Sequence, residues 1–209
     1  MLNTNLSRLG VCICALGLTA CGGPIVHELV PLPGNEETAP EITRKETVVM
    51  QTTAGEITID VYPEAAPNAA ARFIELVESG FYDGTPVFRI VPGFVAQFGI
   101  NWRDGHRDQQ NNNFNDDEGF FRLARGTLAF AKTQAPNSAS TQIFINFADN
   151  SRLAATNFQT FGMIVEGIEV IDAFVDVGEL SQPSLWSNGE AFLEQLNTSP
   201  TMIESAKVD

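Results

Sequence analysis

The stretch Val87-Phe88-Arg89-Ile90-Val91-Pro92-Gly93-Phe94-Val95-Ala96-Gln97-Phe98-Gly99 constrains the chain more than any other. Val, Ile and Phe suit a pleated, half-buried surface. Pro92-Gly93 breaks the run with turn chemistry, because Pro fixes φ and Gly tolerates positive φ. The expected element is a β-hairpin with one cation, Arg89, and one amide, Gln97, in apolar surroundings. Two registers are open. A two-residue loop at Pro92-Gly93 pairs Arg89 with Ala96. A three-residue loop, Pro92-Gly93-Phe94, pairs Val91 with Val95 and Arg89 with Gln97. A slip of one residue changes every facing partner. In the second register the Gln97 carbonyl can orient the guanidinium.

The rest of the chain reads mainly as strands. Residues 47–53 lead to a turn at Ala54-Gly55, and residues 56–62 alternate with Ile57, Ile59 and Val61 on one face, a half-buried strand. Pro63 and Pro67 end it and open a helix. There Ala70, Phe73, Ile74 and Val77 form one apolar stripe before Gly80 closes it. Residues 101–119 are a polar loop whose acids lack the spacing and central Gly of an EF-hand, so it reads as solvated. Residues 128–131 and 158–165 read as strands. Between them Ile143, Ile145 and Phe147 alternate with Gln142, Phe144 and Asn146, the first set inward. Residues 167–177 read as a helix with Ile168, Ile171 and Val175 inward, residues 178–188 as loop, residues 189–197 as a short helix and residues 202–208 as a closing strand.

The hairpin resembles the cyclophilin signature of peptidyl-prolyl cis/trans isomerases: an apolar residue, Arg, then Pro-Gly-Phe and a Gln. A second segment agrees. Gly126-Thr127-Leu128-Ala129-Phe130-Ala131, Pro136-Asn137-Ser138 and Thr141-Gln142-Ile143-Phe144-Ile145 are similar to the family's Gly-x-Leu-x-Met-Ala, Pro-Asn and Ser-Gln-Phe-Phe-Ile run. The resemblance extends over about residues 47–177. It implies a closed antiparallel eight-stranded β-barrel capped by two α-helices. It also implies Arg89 and Gln97 as catalytic residues, and Phe94, Val95, Ala131, Phe144, Leu153 and Phe158 as the substrate-binding pocket. The partners implied are proline-containing polypeptides.

The chemistry suits those residue types. Rotation about an X-Pro bond faces a barrier of about 18–20 kcal/mol, because amide resonance must be lost. No nucleophile, metal or cofactor is required. An apolar pocket for the proline ring and a preorganised donor near the amide nitrogen suffice, if they bind the twisted amide better than the planar one.

Composition narrows the partners. The 209 residues carry a formal charge of −14 and a pI near 4.4. Nucleic-acid affinity rests on Lys and Arg neutralising phosphates, so no nucleic-acid partner is expected. The two histidines, His27 and His106, are far apart, and no metal site is expected. The cysteines, Cys12, Cys14 and Cys21, all lie in the first 21 residues. Residues 9–20 form an apolar run of signal-peptide length, too short to span a bilayer. It ends Leu18-Thr19-Ala20-Cys21, which resembles a bacterial lipobox. The expected organisation is a lipoprotein signal peptide over residues 1–20, a lipidated Cys21 with a flexible Pro-rich tether to residue 45, and an isomerase domain over residues 46–209. The expected location is the bacterial cell envelope, lipid-anchored and facing the periplasm, with the outer membrane favoured over the inner. The domain is expected to act as a monomer. The alternative reading is a proline-peptide-binding chaperone or scaffold module with little turnover.

The sequence departs from the family pattern at four positions. Phe88 stands where the family commonly has His, Val95 where it has Met, Arg152 where many members have Trp, and Phe158 where it has a pocket His. With no indole at Arg152, cyclosporin should bind weakly; a nanomolar dissociation constant by calorimetry would overturn that expectation.

Overall fold

The computed structural model describes residues 28–209. The expected signal peptide and the lipidation site Cys21 lie outside the described residues. Nine strands form one sheet: β1 (Glu46–Thr52), β2 (Gly55–Val61), β3 (Thr85–Pro86), β4 (Arg89–Val91), β5 (Val95–Phe98), β6 (Thr127–Phe130), β7 (Ile143–Asn146), β8 (Gly162–Glu166) and β9 (Met202–Val208). Two α-helices accompany it, α1 (Pro67–Glu78) and α2 (Gln182–Leu193).

The strand order is β3-β9-β1-β2-β8-β6-β7-β5-β4, and every pairing is antiparallel. The two edges, β3 and β4, are joined by only Val87 and Phe88. Laid flat at about 4.8 Å per strand, the edges would lie roughly 38 Å apart. Three Cα–Cα steps from Pro86 to Arg89 reach at most about 11 Å. The sheet is therefore forced to curl. It does not close into the eight-stranded barrel expected from the sequence: it is an open, curled sheet of nine strands. The reason lies in the seam. Val87 N–H donates to Thr201 O at 2.8 Å, Phe88 N–H donates to Gln97 O at 3.0 Å, and Phe88 O accepts from Leu180 N–H at 2.8 Å. One continuous segment supplies both edges, and it cannot pair with itself.

The alternation read from sequence packs as expected. Ile57, Ile59 and Val61 of β2 and Ala70, Phe73 and Val77 of α1 are buried in the main core with Phe81, Tyr82 and Phe98. Helix α1 has no side-chain cap of its own. Its first N–H groups are instead satisfied from far along the chain, by Asp117, whose carboxylate accepts from Asn68 N–H at 3.1 Å and Ala69 N–H at 2.9 Å. The polar loop 101–119 is thus tied down at its acidic end rather than solvated throughout.

Three other expectations are corrected. Residues 28–45 are not a free tether: Pro31 bridges to Phe121, Leu32 N–H donates to Phe120 O, and Leu29, Ala39 and Ile42 pack on Tyr62, Ala65 and Met163. The apolar residues between the prolines find a surface to cover. The expected helix over residues 167–177 is a short 3-10 turn, Ile168–Ala173, with Ile171 buried and Val175 exposed. The expected loop at 178–188 holds the start of α2, which Ser181 caps through its hydroxyl and Pro183 opens. Among the described residues no helix is long and apolar enough to cross a membrane.

Strand β5 is followed by Gly99, whose φ is +104° and where a Cβ would run into the carbonyl oxygen of Thr141. Gly99→Ala should therefore lower unfolding stability by at least about 2 kcal/mol, through backbone strain and overpacking; urea unfolding monitored by tryptophan fluorescence checks this.

Candidate active site

The site begins with a turn. Phe94 N–H donates to Val91 O at 2.9 Å across Pro92-Gly93, and Gly93 takes the positive φ of +70° that this turn requires. The loop has three residues, so Val91 pairs with Val95 and Arg89 with Gln97. The second of the two registers is the one observed. Gln97 in turn pairs with Phe144 on β7, and Phe144 with Ala129 on β6. Directly opposed residues share a face, so Arg89, Gln97, Phe144 and Ala129 form one row across four strands. The Phe94 backbone is held at both ends: its carbonyl accepts from Phe147 N–H and from Asn150 Nδ2, each at 2.9 Å.

This row borders a cavity of about 210 Å³, lined by Arg89, Phe94, Val95, Gln97, Ala131, Lys132, Phe144, Leu153 and Phe158. All eight catalytic and substrate-binding residues named from the sequence line it. Behind it, Val95, Leu123, Ala129 and Phe144 form a buried apolar cluster, on which Phe94, Ala131, Leu153 and Phe158 pack. Phe144 and Phe158 meet edge to face at 5.5 Å. A larger hollow of about 400 Å³ lies near Leu29, Tyr62 and Phe121, but it is remote from the row of polar groups.

Arg89 is half-buried. Its Nη1 donates to Gln97 Oε1 at 3.5 Å, and its Nε lies 3.3 Å from the exposed carboxylate of Glu179. Such a partly exposed pair holds the side chain only loosely. Gln97 Nε2 donates to Gln142 Oε1 at 2.8 Å, and Gln142 Nε2 donates to Gln182 Oε1 at 2.9 Å. A second hollow of about 300 Å³ adjoins the first through Gln97, Ala131 and Lys132, and Ser138, Ser140, Gln142 and Gln182 give it a polar wall.

The departures from the family pattern now have places. Phe88 faces away from the cavity, fully buried with Ile100, Leu180 and Leu185 under α2. Arg152 does not line the cavity; its guanidinium lies over the Phe94 ring at 5.2 Å and donates to Asn150 Oδ1. Val95 and Phe158 line the cavity as apolar surface.

Sequence reasoning missed Lys132, Gln142, Glu179 and Gln182. Gln142 carried a signal, since it shares the period-2 face of Phe144. Glu179 and Gln182 carried none, because only the fold brings α2 to the hairpin. Lys132 is nearly buried, ion-paired with Asp116 at 2.8 Å and 5.9 Å from the centre of the Phe158 ring. Burial opposes the Asp116 charge. Hydrogen bonds from Lys132, Asn137 N–H and Asn157, with the Lys132 charge, outweigh that and hold its carboxyl below the usual aspartate range. Among the described residues no group of His, Cys, Asp or Glu side chains is placed to hold a metal ion.

Comparison with known proteins gives the family of the chain. The family model for cyclophilin type peptidyl-prolyl cis-trans isomerases matches residues 47–196. The chain is 33% identical over 166 residues to peptidyl-prolyl cis-trans isomerase A of Dickeya dadantii, covering 77% of this chain and 83% of that one. It is 32% identical to peptidyl-prolyl cis-trans isomerase B of Escherichia coli over 134 residues, 60% of this chain and 81% of that one. Among solved structures, a cyclophilin type isomerase of Cryptosporidium parvum has the same fold, with a TM-score of 0.59 at 19% identity, covering 79% of this chain and 98% of that one. The same Cryptosporidium isomerase, in the presence of the dipeptide Ala-Pro, gives a TM-score of 0.56. The curled antiparallel sheet is thus the fold of these solved structures. The chain belongs to the cyclophilin type peptidyl-prolyl cis-trans isomerases and is an enzyme of that class.

The depressed Asp116 pKa has a pH consequence. Its contribution is complete above the ordinary aspartate pKa, near about 4, and is lost as pH falls through the lower folded value. Urea stability of the wild type should therefore exceed that of Asp116→Asn at pH 7, and the gap should close as the pH falls below about 4.

Proposed function

We propose that the chain isomerises X-Pro bonds in exported polypeptides at a bacterial cell envelope. A lipid on Cys21 holds it to the membrane, the outer rather than the inner, with the domain facing the periplasm. The observation that carries the catalytic part is the row Arg89–Gln97–Phe144 beside the 210 Å³ cavity. The sequence of residues 9–21 supports the anchor. The Ala-Pro dipeptide with the Cryptosporidium relative supports a proline-containing ligand.

In this mechanism Phe94, Val95, Phe144, Leu153 and Phe158 seat the proline ring and exclude water from it, while Ala131 borders the bound backbone. As the amide twists, its nitrogen becomes pyramidal and regains a lone pair. The Arg89 guanidinium donates to that lone pair, an interaction the planar amide cannot offer, so the twisted state gains more than the ground state. Gln97 Oε1 holds the guanidinium towards the cavity. Each 1.4 kcal/mol gained only in the twisted state speeds exchange about tenfold.

A second reading is a proline-peptide-binding module with little turnover. The Glu179 carboxylate beside Arg89 Nε favours it, because it partly neutralises the working cation. Turnover separates the two. NMR exchange spectroscopy on an Ala-Pro peptide should show acceleration by the wild type and a loss of about 100-fold or more in kcat/KM for Arg89→Ala, with peptide binding largely retained. Binding without acceleration by the wild type would establish the module instead.

A further inference from the structure

We propose that Gln182, at the start of α2, is a positioning residue for the isomerisation, acting on Arg89 through Gln142 and Gln97. The inference rests on Arg89 being the working donor.

The chain of contacts has a direction. A guanidinium carries only donors. Gln97 must therefore face Arg89 with its carbonyl oxygen, as it does. That leaves the Gln97 NH2 group to face Gln142, which must answer with its own oxygen, as observed at 2.8 Å. The Gln142 NH2 group then faces Gln182, which again must present an oxygen, as observed at 2.9 Å. An amide has one accepting and one donating end, so each link fixes the sense of the next. Gln97 and Gln142 could each be turned over if isolated. Coupled in series, they take one sense: the guanidinium can only donate, and Gln182 answers at the far end with its oxygen.

The acceptor end is firmly placed. Ser181 Oγ accepts from Ser184 N–H and caps the helix, Leu180 N–H donates to Phe88 O, and Leu185 is fully buried against Phe88 and Ile100. Phe88 is the neighbour of Arg89 and points to the opposite face. The segment that supplies Arg89 to the cavity thus supplies Phe88 as the seat of α2, and α2 returns Gln182 to the polar chain. The position of Gln182 is set by packing, whereas the 3.5 Å contact of Arg89 with Gln97 is long for a hydrogen bond. The guanidinium needs that support.

The test exploits the direction. Gln182→Glu keeps an acceptor and should hold kcat within about twofold of wild type. Gln182→Ala removes the end of the chain and should lower kcat about 2–10-fold, the worth of one neutral hydrogen bond. Gln182→Lys replaces the acceptor with a donor. It should turn both amides over, set the Gln97 NH2 group against Arg89, and lower kcat by about 10–100-fold. Peptide KM and Tm should stay near the Gln182→Ala values throughout. The order should survive 1 M salt, where a Debye length of about 3 Å removes a direct charge effect. In an Arg89→Ala background the series should be flat. Equal activity of the Ala and Lys variants, or an order that salt abolishes, overturns the proposal. If Arg89→Ala itself keeps wild-type activity, the reading of Arg89 falls and this inference with it. If Arg89→Ala is inactive and the Gln182 series is flat in the wild-type background, only this inference falls.

Discussion

The pairing of Val91 with Val95 is the constraint on which the site depends. It is set by three loop residues, one with the fixed φ of proline and one that tolerates positive φ. With one residue fewer in the loop, Arg89 would face Ala96, Gln97 would lose the guanidinium, and the cavity would have no guanidinium at its edge. The same register continues through β7 and β6, because each antiparallel ladder transmits the facing of the last. Local turn chemistry therefore decides the composition of a row spanning four strands.

A second layer of order is electrostatic and non-local. Two neighbouring acids of one loop do different jobs. Asp117 stands in for the missing cap of α1, while Asp116 collects Lys132, Asn137 and Asn157 beside the cavity wall. Arg72 of α1, nearly buried, donates to Ser140 O and to Gln109. Segments outside the sheet are thus pinned from the helix and from each other, and Lys132 and Ser140, which line the hollows, are among the pinned residues.

Much of this was legible in the sequence, and the parts that were not share a cause. Ile57, Ile59 and Val61 declare a strand because burial follows the pleat. Ala70, Phe73 and Val77 declare a helix because burial follows its stripe. The eight cavity residues could be named because two linear motifs carry most of them. The register could be narrowed to two choices but not decided, since both loops obey the same turn chemistry. The openness of the sheet was not legible, because it depends on where the N–H groups of Val87 and Phe88 go. Gly178 to Asn188 looked like loop because Gly178, Ser181 and Pro183 are poor helix formers away from caps. The docking of Leu180 and Leu185 on Phe88 overrides that propensity. The packing of residues 28–45 was hidden by their prolines, which suggest an unstructured chain until a complementary apolar surface is known.

The seam at Val87-Phe88 also bears on how this protein meets other chains. An exposed sheet edge is a template for stray strands, and it is most hazardous where unfolded polypeptides are plentiful. Here the edges are two and three residues long. One contains Pro86, which has no N–H to offer, and the segment between them is committed to Thr201, Gln97 and Leu180. A curled sheet whose ends lie on one short stretch of chain gives an incoming strand little ladder to extend. A passing extended chain is thus poorly placed to be recruited into the sheet as a tenth strand.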